Sequence, residues 1–293
     1  MRLVSFAPDH SSSAVGVVAD EGAARVVVDL STPMAELGAS RMEELVALDG
    51  PVWPKIRDLV EGGGPDNLPR HPIESVTILP PVLRPFQMLF VRANYPGPDG
   101  VKPDLDRPAF FSKLPSAMIG EDADILLPAM SSQPDWEGEL AFVIGRRASH
   151  VSKEDAMGYV AGYTITNDIT ARDIQASGEP TLAKNFRTFA PLGPWLVTPD
   201  EVGDPHDLTI KQWVNGTLFQ DGSTEDMLFD IPEIISFLSS VTDLYPGDVI
   251  ATGAPAGIGK HQEPPVFLAD GDTLRVEIEG IGALNNGVRT APV

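Results

Sequence analysis

Two glutamates two residues apart, Glu137 and Glu139, stand at the head of the apolar run Leu140-Ala141-Phe142-Val143-Ile144. On a strand, alternate residues share a face, so both carboxylates point the same way, toward Ala141 and Val143. Two acids side by side in a setting that turns apolar repel each other. One is driven to protonate unless a cation sits between them. A hard divalent ion with oxygen ligands, Mg²⁺ or Mn²⁺, meets that need. The plainer reading is a solvated strand end with two exposed acids.

A second group lies in Gly162-Tyr163-Thr164-Ile165-Thr166-Asn167-Asp168-Ile169-Thr170-Ala171-Arg172-Asp173-Ile174-Gln175. A buried strand ends there in amide, carboxylate, hydroxyl and guanidinium groups, and Asp168 is placed to give a third oxygen ligand. The competing reading makes Asp168 a helix N-cap ahead of Thr170-Ala171-Arg172. Arg172 and Asp173 read as partners in structural salt links. Lys184, among Leu182, Ala183 and Phe186, suits a substrate carboxylate or a developing enolate. Its plainer reading is a surface lysine whose stem covers apolar area. The run from Tyr245 to Gly259 takes a strand into a Gly-rich turn, which is either a simple tight turn or a set of N–H groups suited to an anion. It is not a phosphate-binding P-loop, because Lys260 is followed by His261 and the glycine spacing is wrong. Neither a G-x-S-x-G elbow, nor H-E-x-x-H, nor G-x-G-x-x-G occurs.

The elements that must position these groups are mostly strands. Ala14–Ala19 and Ala24–Leu30 read as a hairpin around Asp20-Glu21-Gly22. Helices are expected near Met42–Leu48 and Trp53–Leu59. Breaks at Gly62-Gly63-Gly64-Pro65 and at Pro80, Pro81 and Pro85 place a boundary near 75–85. This divides a small N-terminal α/β domain, 1–80, from a catalytic domain, 81–293. Beyond residue 87, apolar runs recur at Met88–Val91, Leu140–Ile144, Val160–Thr166, Trp195–Val197, Leu208–Val214, Val249–Thr252 and Leu274–Ile278. Only Lys153–Gly158 and Pro232–Ser240 read as helices. Strands do not alternate with helices, so the class is α+β, mostly β, with a barrel or roll and not a doubly wound sheet.

Composition narrows the function further. The chain has 293 residues, 42% of them apolar, enough for a sizeable core. The absence of cysteine excludes thiolate zinc sites, thiol nucleophiles and disulfides. Met1–Phe6 turns polar by Asp9 and His10, without the apolar core of a signal peptide, and no run has the length of a membrane span. The expected location is cytoplasmic. A net charge of -21, from 42 acidic and 21 basic residues, makes nucleic acid and anionic membranes poor partners. Cations gathered in a pocket are then informative.

Taken in order over about 86–290, these segments resemble the fumarylacetoacetate hydrolase family, notably its short bacterial members with a small N-terminal domain. The motifs are Asn94-Tyr95, Phe110-Phe111-Ser112-Lys113, Glu137-Gly138-Glu139, Asn167-Asp168-Ile169-Thr170-Ala171-Arg172-Asp173, Lys184-Asn185-Phe186, and Thr252-Gly253-Ala254-Pro255-Ala256-Gly257-Ile258-Gly259, with a closing strand at Leu274–Gly282. The resemblance implies a mixed β-roll catalytic domain, a homodimer, and Mg²⁺ or Mn²⁺ on Glu137, Glu139 and Asp168. It implies that Lys113 and Lys184 act in catalysis, and that Tyr95, Gln175, Thr252 and Gly253 bind a small anionic oxo-acid. Arg92 stands where the family keeps a small residue and adds a cation.

The resemblance also has a gap. The family's hydrolytic members continue N-Y-x-x-H-x-x-E, and here those positions are Pro98 and Val101. The Pro/Gly-rich stretch from 94 to 106 is not expected to form the family's lid helix. The expected reaction is hydrolytic C–C cleavage of a β-diketo or 2-oxo acid of the acylpyruvate or fumarylpyruvate kind. Because the His–Glu pair is absent, decarboxylase, lyase or isomerase chemistry on the same site is the alternative. A metal-binding homologue without turnover is the third reading.

Overall fold

Valines dominate the first strands, and their alternation makes a meander: β1 (Arg2–Ala7), β2 (Ala14–Glu21) and β3 (Ala24–Asp29). A computed structural model of the chain describes residues 1–8, 12–62 and 67–292. The expected break at Gly63-Gly64-Pro65 and the polar residues Asp9 and His10 lie outside these residues. Helices α1 (Ser31–Glu36), α2 (Met42–Leu45) and α3 (Val52–Glu61) follow, then β4 (Arg70–Pro72) and β5 (Thr77–Leu79). Helix α2 ends before the expected Leu48, whose N–H is drawn 2.7 Å to the carbonyl of Gly145.

The rest of the chain is strand-dense. It begins with β6 (Met88–Arg92), β7 (Ala109–Ser112), β8 (Met118–Ile119), β9 (Ile125–Leu127), β10 (Pro134–Asp135) and β11 (Gly138–Ile144). Next come α4 (Lys153–Ala156), β12 (Val160–Asn167), β13 (Thr170–Ala171), α5 (Arg172–Ala176), α6 (Pro180–Lys184) and β14 (Ala190–Val197). It closes with α7 (Pro199–Val202), β15 (Thr209–Val214), β16 (Thr217–Ser223), α8 (Ile231–Val241), β17 (Val249–Ala251), β18 (Thr273–Ile278) and β19 (Gly282–Thr290).

One long sheet runs β4-β3-β2-β1-β14-β12-β11-β17-β6-β7, and a second runs β16-β15-β18-β19-β9. The pairing is mixed, antiparallel for β11–β12 and parallel for β17–β6, as a β-roll of the α+β class requires. The N-terminal meander joins this sheet through β1 and β14, with Leu3 opposite Leu196. Strand β11 lies deep inside. Leu140, Phe142 and Ile144 enter one core with Ile165, Ile234 and Leu238, while Ala141 and Val143 enter another with Leu3, Phe90 and Val249. Both faces are covered, which is why β11 reads as an unbroken apolar run. Each large side chain buried there contributes about 1.5–3 kcal/mol. No helix among the described residues is long and apolar enough to cross a membrane.

Candidate active site

The acids meet because β11 and β12 pair, with Gly138 opposite Asn167. Two hydrogen bonds fix the ends: Glu137 N donates to Asn167 Oδ1 at 2.9 Å, and Asp168 N donates to the Glu137 carbonyl at 2.8 Å. Carboxylate oxygens of Glu137, Glu139 and Asp168 come within 4.8 Å of one another, a grouping able to hold a metal ion. Glu139 is 2% exposed and Asp168 1%, so this is no solvated strand end. Nor is Asp168 a helix cap, because α5 begins after Ala171 with no side-chain cap.

Three cations close around the acids. Lys184 is buried, so the surface-lysine reading fails. Its Nζ donates to Glu137 Oε2 at 2.6 Å and to Asp168 Oδ2, and it lies 4.7 Å over the Phe111 ring. Arg172 reaches Glu137 Oε1 and Asp135 Oδ2, each at 2.7 Å, while Asp173 holds Ser131 and Ser132. Arg172 therefore makes the salt links expected of it, whereas Asp173 accepts hydrogen bonds and pairs with no cation among the described residues. Lys113 comes up from β7 and gives its three protons to Asp168 Oδ1, the Ile169 carbonyl and the Phe189 carbonyl, at 2.5, 3.0 and 2.5 Å. An ammonium has only three N–H bonds. Lys113 thus braces Asp168 with none left over, whereas Lys184 keeps one.

The electrostatics separate the two glutamates. Burial, reinforced by the charges of Asp168 and Glu137, pushes Glu139 well above the carboxylate range. Burial also works against the charge on Glu137, but Arg172 and Lys184 overcome it and hold that carboxyl far below its usual value. Burial brings Lys113 down to about 8, only partly offset by Asp168. Lys184 is held above its ordinary value, because Asp168 and Glu137 outweigh burial.

Four carboxylates, counting Asp135, thus face three cations, and among the described residues Glu139 is the acid with no cation of its own. Among the described residues it accepts one hydrogen bond, from Gly253 N at 2.8 Å to Oε2. An all-oxygen donor set with one excess negative charge and one open carboxylate oxygen fits Mg²⁺ or Mn²⁺.

The acids and Lys184 open on a cavity of about 1360 Å³. Arg92, Tyr95 and Gln175 also line it. Gln175 Oε1 accepts from Arg172 Nη1 at 3.2 Å, which leaves its amide N–H groups free. Burial raises the Tyr95 phenol, whose hydroxyl finds no hydrogen-bond partner among the described residues. Thr252 and Gly253 stand behind Glu139. The Thr252 hydroxyl donates to the Leu140 carbonyl at 3.0 Å, and Gly253, at φ 96°, turns its N–H onto Glu139. The anions held by this glycine turn are therefore the chain's own carboxylates. No helix forms between β6 and β7, and Pro98 and Val101 occupy that stretch.

Sequence reasoning missed Asp135. Its fully buried carboxylate accepts from Arg172 Nε, Trp136 N, Gly259 N and Lys260 N, which ties three segments together. The alternation that marks Glu137 and Glu139 extends back to Asp135, and that was the available signal.

Comparisons with known proteins agree with this geometry. Residues 92–289 match the family described as fumarylacetoacetate (FAA) hydrolase C-terminal. A mitochondrial oxaloacetate tautomerase of Bos taurus is 40% identical over 294 residues, 98% of this chain and 91% of that protein. The solved fumarylacetoacetate hydrolase of psychrophilic Exiguobacterium antarcticum superposes with a TM-score of 0.83 at 35% identity, over 99% of this chain and 100% of that one. Maleylpyruvate hydrolase of Sphingobium sp. SYK-6, solved with manganese(II) and pyruvate, gives 0.81 at 30% identity over 100% of both chains.

Proposed function

This chain belongs to the fumarylacetoacetate hydrolase family, and from that premise we propose that it is a divalent-metal-dependent enzyme interconverting the keto and enol forms of a small 2-oxo acid. One observation carries the reading. Lys184 holds a spare N–H beside the acid triad, while the facing segment has Pro98 and Val101 where a His–Glu pair would activate water. The tautomerase relative from Bos taurus supports it.

Glu137, Glu139 and Asp168 would hold the ion, which when bound polarises the substrate's oxo group as a Lewis acid. Lys184, fixed between two carboxylates, keeps its proton and offers its remaining N–H to an enolate oxygen, where charge develops. Gln175 presents its free amide N–H groups to the substrate carboxylate. Lys113 and Arg172 keep Asp168 and Glu137 in place, so the donor set needs little rearrangement. None of these roles consumes a water molecule.

The likeness to maleylpyruvate hydrolase favours a second reading, C–C hydrolysis of an acylpyruvate on the same residues. One comparison separates them. With Mg²⁺ or Mn²⁺, the protein is expected to speed the decay of freshly dissolved enol oxaloacetate and to cleave acylpyruvates slowly. Unaltered enol decay with rapid acylpyruvate cleavage would reverse the order.

A further inference from the structure

The cations lining the cavity fall into two sets. Lys184 and Arg172 are taken up by carboxylates, whereas Arg92, Lys102, Arg107 and Lys260 make no ion pair among the described residues. Of the second set, only Lys260 is anchored to the floor. Its backbone N–H and that of Gly259 donate to Asp135, at 3.2 and 2.7 Å. Asp135 also holds Arg172, whose other arm holds Glu137. Gly259 is pressed so tightly that a Cβ there would lie 2.1 Å from the Val266 carbonyl and 2.6 Å from Asp135. The Lys260 side chain therefore springs from a backbone fixed relative to the acid triad. Burial lowers its ammonium from the usual value, the charge of Arg172 adds to this, and Glu137 only partly compensates. His261, next along, lines the same cavity.

We propose that Lys260, with His261 beside it, binds the distal carboxylate of a dicarboxylic 2-oxo acid, making this enzyme selective for dicarboxylates. The inference rests on the reading above, in which the oxo-acid end lies over Glu137, Glu139 and Asp168. The charges agree with it. A divalent ion turns the floor's single negative excess into a single positive one, which the near carboxylate neutralises, and Lys260 is left for the far one. The chain carries a net charge of -21, so an unpaired lysine at this rim is well suited to draw in a second anionic group.

Calorimetry on the Mn²⁺-loaded protein tests this with two stable probes of equal length, 2-oxoglutarate and 2-oxopentanoate. The wild type is expected to bind 2-oxoglutarate at least about tenfold more tightly, the size of one charge-assisted contact. Lys260→Met should remove most of that preference and leave 2-oxopentanoate binding unchanged, while Lys260→Arg should keep it. Lys260 is exposed, so a matching melting temperature will confirm that the variant is folded. A preference that persists in Lys260→Met, or equal weakening of both probes, would overturn the proposal. Failure of the tautomerase reading appears elsewhere, as wild-type protein that leaves enol decay unaltered, and does not touch this binding comparison.

Discussion

Glu137, Glu139 and Asp168 sit at the ends of two paired strands, and every one of their carboxylates is held by a cation or a backbone N–H. The segment 94–108, on the other side of the same cavity, has no regular structure, and its acids Asp99, Asp104 and Asp106 are exposed. The floor is preorganised at the cost of burying charge. The wall places few demands on the fold and is free to differ in chemistry. On the proposed reading, the fixed donor set supplies the step common to both reactions, and the wall is where they would diverge.

The comparison predicts its largest effect on the floor. Glu139→Ala or Asp168→Ala should bring turnover down to the rate without enzyme and weaken Mn²⁺ binding by at least about a hundredfold, since each would remove one of the three proposed ligands. Glu139→Ala protein that binds Mn²⁺ as tightly as wild type in calorimetry would break the floor's assignment.

The two lysines should then separate. Lys184→Met is expected to lower kcat/KM by at least about tenfold, as loss of one charged contact worth about 1.5–3 kcal/mol. It also leaves Glu137 and Asp168 short of a buried partner, which costs about 3–5 kcal/mol in the metal-free protein. Lys113→Met should show mainly in stability, because its donors face Asp168 and backbone. Equal kinetic loss with unchanged melting in both variants would contradict this division.

A smaller effect follows from Glu139's raised pKa. In the folded, metal-free chain this carboxyl holds its proton more tightly than when unfolded, where it titrates near about 4.3. Its contribution is therefore complete below that value and is lost as pH rises through the folded one. Glu137 has the opposite shift, so its contribution is complete above the unfolded value and is lost only as pH falls through the folded one, outside this window. The metal-free protein should thus lose stability as pH rises above the unfolded value, while Mn²⁺, which binds the ionised form, stabilises more as pH rises. The gap in melting temperature between the two forms should therefore widen with rising pH. A gap that narrows would mean Glu139 is ionised without metal.

Much of the floor was legible because it follows local rules. Alternation and an apolar run marked Glu137, Glu139 and β11, and a strand ending in polar groups marked Asp168. Lys184 was harder, since its neighbours fit a surface lysine equally well and only the fold brings α6 under the acids. Strand β19, Gly-Ala-Leu-Asn-Asn-Gly-Val-Arg-Thr, carries no strand pattern over much of its length. It is held by β18 and by Asn286, whose amide reaches the carbonyls of Gly120 and Ala123 at 3.0 and 2.8 Å. Asp135 and Lys260 stayed hidden because their partners lie up to 125 residues away in the chain.

The wall gives the smallest expected effects and the sharpest test of what it does. Asp99 already accepts a hydrogen bond from Val101 N at 3.1 Å within its own turn, and Asp104 and Asp106 face solvent. A carboxylate turned to solvent or tied into its own turn is poorly placed to take a proton from a bound substrate. Replacing each aspartate by asparagine should therefore change kcat/KM for tautomerisation by less than about threefold, within the range of a lost exposed contact. For any residual acylpyruvate cleavage, a His–Glu base would level the rate near pH 7, and without one the rate should keep climbing with pH. A plateau near neutrality, abolished by one of these three substitutions with KM unmoved, would show that the wall supplies its own base. The floor would then serve hydrolysis as readily as enolisation, and what separates the two reactions would lie in a single wall carboxylate.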